Sequence, residues 1–425
     1  MPDASLKART TVMNRRDGIR TSFHSSAELT CFAIAAAMCL DRAMSDFPID
    51  GFCDPQFETV RAAFADNFAK RGEPGAAVAV SIDGKAVVDL WGGHADIAQT
   101  NSWQRDTLVN FFSVSKALCA ICAGQLAERR LLDLDAPVAK YWPEFAQNGK
   151  SAITVRVLLS HRAGLPAIAE ALPDGAALEW QTIVRALELQ EPWWTPGTAH
   201  GYHVNTFGFL VGEIVRRVSG KTVGRFVREE IAEPLDADFH IGVPASEHHR
   251  IAEYRWPGSG SMVEGDASDP LSQMRWNAYF NPPGFSGAHW VNRPEWREAE
   301  VPSTNGHGNA RSIVRLYSAL VAGGAVDGVQ ILSESMLREM ITEHSCGTDL
   351  VSQRPSRFGI GFQLTQPERP LGPNPRTFGH FGAGGSLGFC DPDTGMAFGY
   401  VTNDMGPRWQ NPRNRALIEA VYASL

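Results

Sequence analysis

No apolar run in the 425-residue chain is long enough to cross a bilayer as a helix, so a membrane-spanning segment is not expected. Residues 31–40 form a shorter apolar stretch behind Arg15, Arg16 and Arg20. That stretch has the length of a secretory h-region, but Asp41 and Arg42 stand where small residues would allow cleavage. Residues 1–50 are therefore expected to be an N-terminal extension, signal-like or disordered, with Met44 as an alternative start. An excess of basic residues is also lacking. Lys and Arg number 39 against 47 Asp and Glu, and the net charge of −8 argues against a nucleic-acid partner or insertion at an anionic membrane. Cysteine is sparse, and the count of seven is odd and scattered. This excludes a disulfide framework and points to a reducing, cytoplasmic setting, or to the periplasm or medium if residues 1–43 act as a signal. Cys119 and Cys122 form a C-x-x-C without a second pair at zinc spacing, so they read as small helix residues, with no metal or cofactor implied.

What is present is an ordinary globular composition, 44% hydrophobic, with length for one large domain of two lobes. Asp54-Pro55 followed by Phe57, Val60, Phe64 and Phe68 predicts a helix that stops at Gly72. Residues 76–82 and 85–91, around Asp83-Gly84, predict a hairpin. A helix is expected from about 113 to 130. From 131 to about 243 the pattern is mostly helical and broken by Pro/Gly turns. Residues 255–300 are irregular and rich in aromatics: Trp256, Trp276, Tyr279, Phe280, Phe285, Trp290 and Trp296. They either cover a core or wall an apolar acyl or alcohol pocket. After the turn at residues 305–308 come a helix, strands at 358–364, 385–389 and 396–402, and a terminal helix at about 413–422. The expected class is α/β (α+β), with one lobe from 51–130 and 305–425 and a helical, irregular lobe from 131–304.

Three segments carry chemistry. Ser113-Val114-Ser115-Lys116 is an S-x-x-K opening a helix, where residues three apart share a face, so that Ser113 Oγ and Lys116 Nζ can meet. A serine needs a base to attack a carbonyl, and burial near a helix N-terminus disfavours the ammonium form of a lysine. Pro196-Gly197 leads to Tyr202, whose phenol could shuttle a proton between Ser113 and a leaving group. His380-Phe381-Gly382-Ala383-Gly384-Gly385 reads as a Gly-rich edge strand whose backbone N–H groups can approach a reacting carbonyl.

Together these segments resemble the β-lactamase-related serine hydrolases: class C β-lactamases, DD-peptidases and family VIII carboxylesterases. Residues 158–166, Leu-Leu-Ser-His-Arg-Ala-Gly-Leu-Pro, and 132–138, Leu-Asp-Leu-Asp-Ala-Pro-Val, resemble further stretches of that group in the same order. The resemblance implies a β-lactamase/penicillin-binding-protein-like fold, an antiparallel sheet flanked by helices with a mostly helical insert. It implies acylation of Ser113, with Lys116 and Tyr202 as the proton-transfer network and neither singled out as principal base. It also implies an oxyanion hole from the backbone N–H groups of Ser113 and Ala383. His380 matches the lysine of the K-T-G motif, and His380, Gly382 and His203 are expected to contact substrate; His161 is expected to brace a turn.

Two departures from that pattern bear on substrate. The asparagine of Y-x-N is replaced by Val204, with Asn205 one position late, and the K-T-G cation has become a histidine. Both changes favour uncharged short-chain esters over carboxylate-bearing β-lactams or peptides. A carboxylesterase acting on a small-molecule ester is therefore expected. A β-lactamase, D-amino-acid peptidase or acyltransferase, or a non-catalytic scaffold, are the alternatives. Gly384-Gly385-Ser386-Leu387-Gly388 also matches the G-x-S-x-G nucleophile elbow, but no histidine follows Ser386 to complete that triad. Ser113→Ala should abolish ester turnover while Ser386→Ala keeps a substantial fraction; the reverse result would reassign the nucleophile.

Overall fold

The computed structural model describes residues 48–256, 269–406 and 409–425. Residues 1–47, which carry the signal and start-site expectations, lie outside them. Among the described residues the main sheet has nine strands. Three come early: β1 (Ile49–Cys53), β2 (Gly75–Ile82) and β3 (Lys85–Gly93). Six come late: β4 (Ser345–Thr348), β5 (Pro355–Phe358), β6 (Gln363–Leu364), β7 (Phe378–Phe381), β8 (Leu387–Asp391) and β9 (Met396–Thr402). The order is β1-β3-β2-β9-β8-β7-β6-β5-β4, and every neighbouring pair is antiparallel. The β2–β3 hairpin turns at Asp83 and Gly84, both at positive φ, as the Asp-Gly pair requires.

Alternation along β2 divides the core. Ala76, Val78 and Val80 face a cluster with Val60, Phe64 and Phe68 of α1 (Glu58–Arg71) and Leu417 and Val421 of the terminal helix Pro412–Ala423. Ala77 and Ala79 face the larger core on the other side, where the helix Ala310–Val321 lies on the sheet. That helix can sit close because Gly388 of β8 and Gly399 of β9 are register partners. A Cβ on Gly388 would lie 2.5 Å from the Tyr317 ring, and one on Gly399 would lie 2.5 Å from the Ala310 carbonyl oxygen.

Several expected elements take a different form. Ser113 precedes its helix, in a 3₁₀ turn (Phe112–Val114) ahead of α2 (Ser115–Glu128). The strand expected over 358–364 is two strands, because Gly359 and Gly361 turn the chain against neighbouring backbone. A Cβ on Gly359 would lie 2.2 Å from the Met340 carbonyl oxygen, and one on Gly361 2.2 Å from Ala120 Cβ. The turn expected at 305–308 is instead a short strand, Gly306–Gly308, paired between Val109–Asn110 and Phe239–Ile241. The strand carrying His380 is not at an edge, since β6 pairs with it at Gly379 and Phe378. Beyond His380 that side has no strand partner, and the Gln363 side chain accepts from Phe381 N at 3.1 Å instead.

A buried polar cluster ties the start of β2 to the C-terminal helix. Glu73, fully buried, accepts hydrogen bonds from Tyr400 and Thr402 and forms an ion pair with Arg413 at 2.9 Å. Arg413 reaches Asp404 with its other nitrogen, also at 2.9 Å. Removing one partner strands a buried charge. Glu73→Ala should lower stability by about 3 kcal/mol, read as a lower urea midpoint with an unchanged slope.

Candidate active site

Three chain segments far apart in sequence meet at Ser113. The turn that presents it is strained: Phe112, a bulky residue, sits at φ 51°. Ser113 is half-buried, whereas its neighbours from Phe111 to Ala120 are buried. One turn on, Lys116 Nζ lies 2.9 Å from Ser113 Oγ and donates to the Ser303 carbonyl at 3.1 Å. Lys116 is fully buried with no carboxylate against it, and burial holds its amine well below the ordinary lysine range.

Tyr202 closes the other side. The Ser113 hydroxyl acts on its phenol, partly offsetting the effect of burial, and Lys116 Nζ lies 4.8 Å from the ring centroid. Burial pushes this phenol well above its usual range, so it keeps its proton. Tyr202 lies ahead of the helix Thr206–Ser219, in an extended segment pinned from outside. Its backbone N–H donates to Asp349 Oδ2 at 2.9 Å, and its ring stacks on Phe358 at 5.8 Å. His161, at φ 62°, packs 5.2 Å from the same ring and takes a hydrogen bond on Nδ1 from His203 N at 3.1 Å.

The third segment is β7 and the turn after it. Gly382 comes so close to the Ser113 turn that a Cβ there would lie 2.3 Å from the Phe111 carbonyl oxygen. Its own N–H is committed to Ser386 O at 2.6 Å, so Gly382 serves by its missing side chain. Ala383 follows in the turn Ala383–Gly385, where the chain leaves the strand. His380 is buried, and its Nδ1 lies 2.7 Å from the Phe381 carbonyl, which fixes the proton on Nδ1. Its Nε2 has no hydrogen-bond partner among the described residues, and the ring lies 5.9 Å from Tyr202. Burial, with Lys116 nearby, pushes its pKa down to about 3, so at neutral pH it presents a lone pair rather than a cation.

His203 does not take the substrate-contact position expected of it. Its Nε2 accepts from Leu165 N at 3.1 Å and its Nδ1 bonds Gly201 O at 2.7 Å, so both ring nitrogens are spent bracing the turn. Asn205 is likewise committed, donating to Ala278 O and Ser286 Oγ and accepting from Thr304 Oγ1. Ser386 is fully buried. Cys119 and Cys122 are buried within α2, where desolvation pushes the Cys119 thiol up to about 12. No group of metal-ligating side chains occurs among the described residues.

The aromatic region divides in two. Phe285 and Trp296 are core residues, the latter donating to Asn110 Oδ1 at 3.0 Å. Tyr279 and Phe280, with Trp193, Trp194 and Trp409, form a separate apolar cluster around Tyr202. Two supporting residues have no motif to reveal them. Ser303 positions Lys116 through its carbonyl and accepts from Gly208 N at 2.6 Å through its hydroxyl. Asp349 is the other. Its amide contacts to Val351 and Ser352 are a local turn signal, but its bond to Tyr202 spans 147 residues of sequence.

The beta-lactamase family model matches residues 60–423 of the chain. The esterase/beta-lactamase LipL of Mycobacterium tuberculosis is 37% identical over 366 residues, covering 83% of this chain and 82% of that protein. A solved family VIII carboxylesterase superposes with a TM-score of 0.82 at 42% identity, covering 89% of this chain and all of that one. A penicillin-binding protein homolog from Caulobacter crescentus superposes with the same TM-score at 39% identity and the same coverage.

Asp349 accepts four hydrogen bonds, from the amides of Tyr202, Val351 and Ser352 and from Ser356 Oγ. Asp349→Ala should therefore destabilise the protein by about 2 kcal/mol. Turnover should fall with it, measured on the fraction that remains folded, because the Tyr202 backbone is among the groups released.

Proposed function

Because the chain belongs to the beta-lactamase family and is a serine hydrolase with its fold, we propose that it is a carboxylesterase that cleaves short-chain esters through an acyl-Ser113 intermediate. The contact that carries this reading is the 2.9 Å approach of the buried Lys116 amine to Ser113 Oγ. The opposite shifts of Lys116 and Tyr202 support a division of labour. A lysine held neutral accepts the proton of Ser113 Oγ as it attacks the ester carbonyl, and a phenol held neutral donates to the departing alkoxide. The proton on Lys116 then restores the phenol. The Ser113 and Ala383 amides take the oxyanion, and water, deprotonated by the same pair, releases the acid.

The esterase choice within the family rests on position 380 and on the lining of the site. A neutral, acceptor-bearing His380 does not attract the carboxylate of a penicillin as a lysine would. The aromatic cluster around Tyr202 supplies apolar surface for an uncharged ester. The family VIII carboxylesterase, at 42% identity, bears the name of this activity, and LipL, at 37%, bears it beside that of a beta-lactamase.

The test is turnover of p-nitrophenyl butyrate beside nitrocefin and a D-Ala-D-Ala peptide, with a fluorophosphonate probe reporting on Ser113. Ester turnover should dominate, and preferential nitrocefin or peptide cleavage would replace the reading with one of its relatives. Lys116→Ala and Tyr202→Phe should each lower kcat by about 100-fold or more with smaller changes in KM. The active form needs the neutral amine, so kcat/KM should rise with pH through the lowered Lys116 pKa and level off. That limb should lie well below the ordinary lysine range. A limb in the ordinary lysine range would instead remove Lys116 as the base.

A further inference from the structure

Two guanidinium groups outside the machinery above face one hollow, and the carboxylates felt by Arg369, Asp349 and Glu368, stop short of an ion pair with it. Arg354 and Arg369 line one surface hollow of about 340 Å³, together with Pro355, Glu368, Trp409 and Gln410. Neither forms an ion pair with a described carboxylate, although most arginines of the chain do, including nearby Arg357 and Arg376. Glu368 on the same rim is exposed and makes no ion pair with either, so the hollow carries one net positive charge.

Arg369 is the inner of the two. It donates to the Pro355 carbonyl and stacks on Trp409 with its guanidinium carbon 5.4 Å from the ring centroid, while its buried Nε has no hydrogen-bond partner. Trp409 in turn meets the Tyr202 ring edge-on at 5.7 Å. Behind Arg369 and Trp409 a cleft with room for about 20 Å³, one water's worth, runs to Phe358 and Phe381. The charge of Arg369 is felt at the Tyr202 phenol. Arg369, Trp409 and Tyr202 thus form a stack of contacts from the hollow to the Tyr202 ring, with the two aromatic rings meeting edge-on.

This stack stands on the side from which the leaving group departs, since Tyr202 is the group that gives the alkoxide its proton. The site has no cation at position 380, but Arg369 lies one indole ring beyond Tyr202. A planar guanidinium is suited to a carboxylate held in two places. We propose that Arg369, with Arg354 at the outer rim, binds a carboxylate on the alcohol portion of the substrate, so that the preferred esters are those of hydroxycarboxylic acids. The acyl part stays short and uncharged. This rests on the esterase reading and names the substrate class of the same site.

The test compares the butyryl ester of 4-hydroxyphenylpropanoic acid with the butyryl ester of its neutral amide, following release of the phenol. Arg369→Gln should lower kcat/KM for the acidic ester by about tenfold, mainly through KM, and leave the neutral one within about twofold. Arg369→Lys should fall between, and Arg354→Gln should act in the same direction but less. In the unaltered enzyme, added salt should depress turnover of the acidic ester selectively. Equal losses on both esters, or no loss on either, overturn the proposal. If Arg369→Gln does not fold, the salt comparison decides, and equal salt dependence overturns it. Absence of Ser113-dependent turnover of p-nitrophenyl butyrate would instead remove the esterase reading beneath it.

Discussion

The proposed chemistry depends on a lysine buried without a counter-charge among the described residues. An ammonium group in that position is costly, so the protein holds Lys116 as an amine, and everything near it is compatible with that choice. Its contacts are neutral oxygens, the Ser113 hydroxyl and the Ser303 carbonyl, and a carboxylate in their place would restore the charge and extinguish the base. The three histidines around it, His161, His203 and His380, are all held neutral by burial. The one fully buried carboxylate in the Tyr202 framework, Asp349, spends its four hydrogen bonds on the far side of the Tyr202 backbone.

A second constraint is proximity of backbone to backbone. Gly382 against Phe111 brings the β7 turn onto the Ser113 turn, and the Gly388–Gly399 pair lets a helix settle onto the sheet. Both are achieved by omitting a Cβ. The strain at Phe112 belongs to the same arrangement, since a relaxed φ would carry Ser113 away from Lys116 and Tyr202.

What could be read in the sequence follows from range. The α1 helix, the Asp83-Gly84 hairpin and the Ser113–Lys116 spacing are local patterns, and the structure forms each of them, apart from the 3₁₀ turn under Ser113. Local pattern failed where distant backbone decided the outcome. Gly306–Gly308 becomes a strand because two other segments come to pair with it, and residues 358–364 break because Gly361 must clear Ala120. His203 looked like a site residue because it adjoins Tyr202, but its ring is taken by Leu165, 38 residues away in sequence. Ser303 and Asp349 left no motif because each acts through contacts that only the folded chain creates.

The pairing of β2 with β9 sets the order in which this protein can become active. Residues 76–82 lie against residues 396–402, at the centre of the sheet, and the Ser113 turn rests against β7 from the same late part of the chain. A ribosome must therefore release nearly the entire polypeptide before the sheet has a middle. Until then the S-x-x-K segment has neither its tyrosine framework nor its glycine turn in place, and Lys116 stays in water as an ordinary ammonium ion. On this reading a chain that ends before the late strands carries the S-x-x-K segment without the site proposed around it.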